Sequence, residues 1–247
     1  MLRDSPNGLE TFMVVRHHEI DFASGALVFP GGKVDPGDFD VREYCNGVNT
    51  FDDEALAIMT GAIREAYEEC GVLLARPIGS ADLISGERLK ALNPYRDQLN
   101  KNEVTLVEFL QNEQLNLACD CLQHFAHWVT PPIMPKRFDT HFYLAAAPSD
   151  HLAVHDGHES VDSIWISPLD ALAGAREGTY NIIFPTLLNV EMLALSHDVR
   201  SAMEMARTRR IVEVLPWTEK RADGTYICIP PEAGYPYSEQ KIPNPPH

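Results

Sequence analysis

The sequence predicts an α/β fold, an α/β/α sandwich around a mixed sheet, on three observations. Apolar runs of strand length alternate with segments of helical period. One of those helical segments ends in a dense acidic stripe, and another, at about 81–115, forms an inserted helical cap. A chain of 247 residues, 45% hydrophobic, can bury the core that such a layered domain needs, so residues 1–247 are read as a single domain.

Thr11 to Val15 reads as a buried strand, and Ala26 to Phe29 as a second that runs into the turn Pro30-Gly31-Gly32. The stretch from Asp38 to Thr50 has no clear period and reads as a surface excursion. A helix follows, with capping-box-like spacing between Thr50 and Asp53, and Leu56, Met59, Ile63, Ala66, Tyr67 and Cys70 repeat at helical intervals. The insertion is broken near Asn93-Pro94, because proline cannot continue a helix through its own position. Strands return at His124 to Val129, Phe138 to Ala146 and Val161 to Ile166, followed by a short helix from Pro168 to Ala175. An amphipathic helix spans Asn189 to Arg207, late strands Ile211 to Leu215 and Tyr226 to Ile229, and a Pro-rich extended tail about 230–247.

The chemistry lies in two segments, FPGGKVDPGD from Phe29 to Asp38 and REAYEECGV from Arg64 to Val72. At about 100° per residue, Glu65, Glu68 and Glu69 fall within roughly a 100° arc of one helix. Each neighbouring like-charge pair costs roughly 1 kcal/mol in water and more near a protein surface, unless a hard cation neutralises it. An acidic stripe by itself is an ordinary solvated face. Here Arg64 stands four residues before Glu68, Gly71 supplies a left-handed stop, and the Gly31 carbonyl can serve as a further oxygen ligand.

These residues resemble the Nudix box, with halves at 31–38 and 64–72. Gly32 corresponds to its first glycine, and Arg64, Glu65, Ala66, Glu68, Glu69, Gly71 and Val72 fill its second half in order. Two departures stand out: Asp38 replaces a glutamate, and 25 residues separate it from Arg64 where the family has seven. An interrupted box, FPGGKVD, Trp128-Val129-Thr130-Pro131, Arg137-Phe138-Asp139-Thr140 and the element from Trp165 to Leu172 together resemble the peroxisomal coenzyme A diphosphatase branch and its bacterial relatives.

The resemblance implies a Nudix sandwich and Mg²⁺- or Mn²⁺-dependent hydrolysis of a diphosphate. Glu65 and Glu69 would be the principal metal ligands, with Glu68 and the Gly31 carbonyl completing the set and Arg64 holding a carboxylate. The general base is open among Glu65, Glu68 and the downstream Glu159. Coenzyme A or its thioesters are the implied substrates, split into 3′,5′-ADP and (acyl-)4′-phosphopantetheine. The alternatives are ADP-ribose, a nucleoside diphosphate sugar or another nucleotide, and a catalytically silent Nudix-fold binding module. Arg16, Lys33, Lys136 and Arg137 are the candidate phosphate-binding cations. A homodimer is the expectation carried from the family.

A net charge of −16 argues against nucleic-acid polymers and anionic membrane surfaces as partners and leaves a small nucleotide-type substrate. No apolar stretch has transmembrane length, the start MLRDSPNGLE does not read as a signal peptide, and NPPH is not a peroxisomal address, so the cytoplasm is the expected compartment. Five cysteines without CxxC spacing read as buried thiols. His17-His18 and the histidines between Asp150 and His158 read as solvated, and Trp128 and Trp165 as core.

Overall fold

The computed structural model describes residues 1–16, 25–48, 50–151 and 160–242. Strand β2 (Gly8–Arg16) is the spine of the first sheet: β1 (Leu2–Ser5) and β3 (Leu27–Val28) pair along one edge and β8 (Ser160–Ile166) along the other, all antiparallel. A second sheet has the order β7 (Asp139–Leu144), β6 (Gln123–Val129), β9 (Glu213–Val214), the last pair parallel. A parallel bridge from Leu2 to Ala146 couples the two sheets, so the strand set is mixed.

Alternation along β2 divides the layers. Phe12 and Val14 pack with Cys70 at the end of α1 (Asp53–Cys70). Met13 turns the other way, toward Leu172 of α5 (Pro168–Glu177) and Val190 of α6 (Phe184–Leu193). A period of two in a strand thus sends successive side chains to helices on opposite faces, which is the expected sandwich.

The insertion lies between the paired strands β4 (Ala75–Pro77) and β5 (Leu115–Leu117) as α2 (Gly86–Leu92), α3 (Pro94–Asn100) and α4 (Leu106–Glu113). It caps the apolar side of α1: Leu56, Met59, Ile63 and Tyr67 share a core with Leu89, Leu92, Leu99, Phe109 and Leu110. Tyr67 stacks on Phe109 with ring centroids 5.6 Å apart, and its hydroxyl donates to the Leu92 carbonyl.

Several expectations are corrected. The N-cap of α1 is Asp52, whose carboxylate accepts from the Ala55 amide at 2.8 Å; Thr50 lies outside the helix, too far back for its hydroxyl to serve the first turn. The segment after Asp38 is folded in, with Val41 and Val48 in the core and Asp38 itself buried. The helix expected from Asn189 to Arg207 is two, α6 and α7 (Val199–Thr208), because Asp198 caps a new start by accepting from the Ser201 amide at 2.7 Å. The strand Trp217–Arg221 (β10) was not expected; it pairs with β11 (Gly224–Cys228), which in turn pairs with β12 (Glu239–Lys241). The tail through residue 242 is therefore docked: Tyr235 accepts from Trp128 at 2.8 Å and donates to Asn189 at 2.7 Å. Trp128 is core, as expected, and Arg3 lies over the ring of Trp165. Among the described residues no helix is long and apolar enough to cross a membrane.

Candidate active site

The last turns of α1 bring the acids beneath the glycine turn. Gly71, at φ +66°, ends the helix immediately after them, a conformation that needs no Cβ. Arg96 of α3 donates to the Glu68 carbonyl at 3.0 Å, adding a cation at the negative end of the helix dipole. The insertion therefore fixes the helix end that carries Glu65, Glu68 and Glu69.

Arg64 organises the cluster. Its Nε and one terminal nitrogen donate to the two oxygens of Asp38 at 3.0 and 3.1 Å, and that same nitrogen donates to the Lys33 carbonyl at 2.7 Å. The other terminal nitrogen reaches Glu65 at 3.1 Å and Glu68 at 3.2 Å. The shorter acid at position 38 is thus sufficient for a bidentate pair, even with the long interruption between the two segments. A side chain on Gly61 would come within 2.9 Å of Asp38 Oδ2, so a helix glycine makes the room for that acid. Burial opposes the charge on Arg64, but Asp38, Glu65 and Glu68 outweigh it and hold the guanidinium protonated.

The turn itself is read through two contacts. The Gly31 amide donates to Glu69 Oε2 at 2.9 Å, with Gly31 at φ +148°. A Cβ on Gly32 would sit 2.3 Å from Glu65 Oε1, so the Glu65 carboxylate occupies the cradle that a side chain there would fill. Gly31, Lys33 through its carbonyl, Arg64, Glu65, Glu68 and Glu69 are consequently brought together. Asp38 belongs to the same network as the buried partner of Arg64.

Whether this set suits a divalent cation can be judged from its charge. Asp38, Glu65 and Glu68 contact one guanidinium, Glu69 meets the glycine turn from the same helix end, and all of these donors are hard oxygens. Glu68 registers the excess: burial, helped by Glu65 and Asp35 and opposed by Arg64, pushes its carboxyl up to about 7. The residues present fit such an ion.

The remaining candidate residues sit on other elements of the chain. Arg16 ends β2, its amide bonded to the Ala26 carbonyl beside β3, and its Nε is buried without a hydrogen-bond partner among the described residues. Lys136 and Arg137 lie in the connection between β6 and β7, where Arg137 Nε donates to the Thr130 carbonyl at 3.1 Å. Glu159, His17, His18, His155 and His158 fall outside the described residues. His151 is not solvated: it is buried, with Nε2 2.9 Å from the Ile84 carbonyl, and with Asp150 it ties this segment to the start of the insertion. Sequence reasoning also missed Arg96, whose distance from the motif gave no local signal.

Residues 49–193 match the family described as the NUDT19 Nudix domain. The chain belongs to the Nudix family. The match begins after the glycine turn, which the geometry above ties to the Nudix helix. The chain is 22% identical over 236 residues to the acyl-coenzyme A diphosphatase NUDT19 of Xenopus laevis, covering 79% of this chain and 62% of that protein. It is 29% identical over 126 residues to the human protein of the same name, covering 48% and 34% respectively. This chain thus spans less than two thirds of the length of these curated relatives. The crystal structure of a Nudix hydrolase from Alicyclobacillus acidocaldarius superposes with a TM-score of 0.65 at 27% identity, over 82% of this chain and 91% of that one. Fold and branch agree with the resemblance carried by the interrupted box, and Nudix hydrolases generally use divalent metals.

Proposed function

We propose that this chain is a metal-dependent Nudix diphosphohydrolase acting on coenzyme A or acyl-coenzyme A, releasing 3′,5′-ADP and (acyl-)4′-phosphopantetheine. The observation that carries the reading is the carboxylate cluster that Arg64 gathers beneath Gly31 and Gly32. The substrate class rests on the names of the relatives above, and on the branch to which the interrupted box points.

Glu65, Glu68, Glu69 and the Gly31 carbonyl would hold Mg²⁺ or Mn²⁺. When bound, such an ion lowers the pKa of water and screens phosphate charge. The protein's own part is positional. Asp38 fixes Arg64, which aligns Glu65 and Glu68, while the Gly31 amide aligns Glu69. Glu68, with a carboxyl near 7 before a cation arrives, is poised to exchange a proton at neutral pH. Arg16, Lys33, Lys136 and Arg137 are the proposed phosphate-binding cations, with a guanidinium suited to bidentate contact.

The test is product analysis with Mg²⁺ present, using coenzyme A, an acyl-coenzyme A, ADP-ribose and a dinucleotide. Release of 3′,5′-ADP should dominate; preference for ADP-ribose would move the substrate to another nucleoside diphosphate, and no release from any compound would favour a silent binding module. Glu69→Gln keeps the shape and removes a charge, so turnover should fall by orders of magnitude with the fold retained.

A further inference from the structure

A second cluster lies on the sheet face formed by β6 and β7. His127 stands directly opposite His141 across the two strands, and Asp139 is two residues before His141, on the same face. The register slips between His124 and Ala126, leaving Phe125 as an extra residue. Strict alternation would put His124 and His127 on opposite faces; the bulge brings both to one. Three imidazoles and a carboxylate are thereby collected on a short stretch of hairpin.

The geometry within the cluster is ordered. His127 Nε2 is 2.6 Å from Asp139 Oδ1, and His141 Nε2 is 3.7 Å from the same oxygen. One ligand atom from each of His127, Asp139 and His141 lies within 4.8 Å of the others. Tetrahedral zinc with bonds of 2.0–2.1 Å needs donors about 3.3 Å apart, so the His127–Asp139 pair must open and the His141–Asp139 pair must close, each by less than about 1 Å, which small side-chain rotations supply. His141 Nδ1 is 3.1 Å from His124 Nε2, which leaves His141 Nε2 facing the other two donors. An imidazole held through its second nitrogen in this way has its ring orientation and tautomer set for metal binding.

The surroundings favour a cation. Glu213 pairs with His127 from β9, and the Glu54 carboxylate acts electrostatically on His141. Asp139 is 65% exposed and gives solvent a route to the cluster. We infer that His127, Asp139 and His141 form a binding site for a borderline divalent metal of the zinc class, with His124 as the positioning residue. Imidazole donors distinguish it from the all-oxygen acid cluster. It is also built on different elements, β6 and β7, and not on α1 and the glycine turn.

Isothermal titration of the chelator-treated full chain with Zn²⁺ tests the inference, and Co²⁺ spectra identify the ligands. Binding to the wild type should weaken at least tenfold in His127→Gln and in His141→Gln, and also in Asp139→Asn, whose exposed side chain can be changed without disturbing the core. Glu69→Gln should bind Zn²⁺ at the same site with unchanged affinity, which separates this inference from the catalytic proposal. The Co²⁺ form should lack a thiolate charge-transfer band. Failure of the wild type to bind, equal affinity in the His127, His141 and Asp139 variants, or a thiolate band that places the metal on the cysteines would overturn it.

Discussion

Asp38 offers the most quantitative perturbation. It has no exposed side-chain surface, accepts two hydrogen bonds from Arg64 at 3.0 and 3.1 Å, and accepts a third from the Asp35 amide at 2.8 Å. Asp38→Ala strips a buried guanidinium of its bidentate partner, a loss of about 3–5 kcal/mol for a broken buried pair. Asp38→Asn keeps the shape but turns an amide donor toward Arg64 and should cost somewhat less, about 2–3 kcal/mol. Asp38→Glu restores the acid that the family carries at this position, yet its extra methylene presses toward Gly61, where overpacking costs roughly 1–3 kcal/mol. Asp35→Ala is the control: that carboxylate is 3.9 Å from Arg64 and more than half exposed, so less than about 1 kcal/mol is at stake. Urea unfolding followed by tryptophan fluorescence and circular dichroism, with chelator present, gives all four values. An Asp38→Ala protein within about 1 kcal/mol of wild type would refute the view that this pair anchors the acid helix to the glycine turn.

Three further outcomes are expected. Gly32→Ala places a methyl where the Glu65 carboxylate sits, and because that group is the end of a flexible side chain, turnover should fall at least tenfold while the melting temperature changes little, measurable by kinetics and calorimetry on one sample. Glu68 has a folded-state carboxyl near 7 against an ordinary 4.5, so its contribution to stability is complete below about 4.5 and is lost as pH rises through 7. That difference amounts to roughly 3 kcal/mol in metal-free protein; the part of the pH slope due to Glu68 should be missing in Glu68→Gln and shrink with Mg²⁺, and identical urea midpoints for wild type and Glu68→Gln at every pH would contradict it. Arg96→Met removes the cation at the end of α1 and should lower stability by about 1 kcal/mol, read as a lower urea midpoint.

The sequence by itself determined the layered α/β class, the strand runs at β2, β6, β7 and β8, the proline break between α2 and α3, and the pairing of glycine turn with acid stripe. These are local signals: period two in a strand, period 3.6 in a helix, a missing amide at proline and like charges one turn apart. Tertiary structure alone decided how the parts meet. A buried Asp38 across a long interruption, Arg96 reaching the Glu68 carbonyl, the tail pinned by Tyr235 and the imidazoles gathered by one extra residue at Phe125 join positions distant in the chain or shifted in register. No pattern in a single segment encodes such contacts, because side-chain reach and strand register are settled only when separate elements pack against one another.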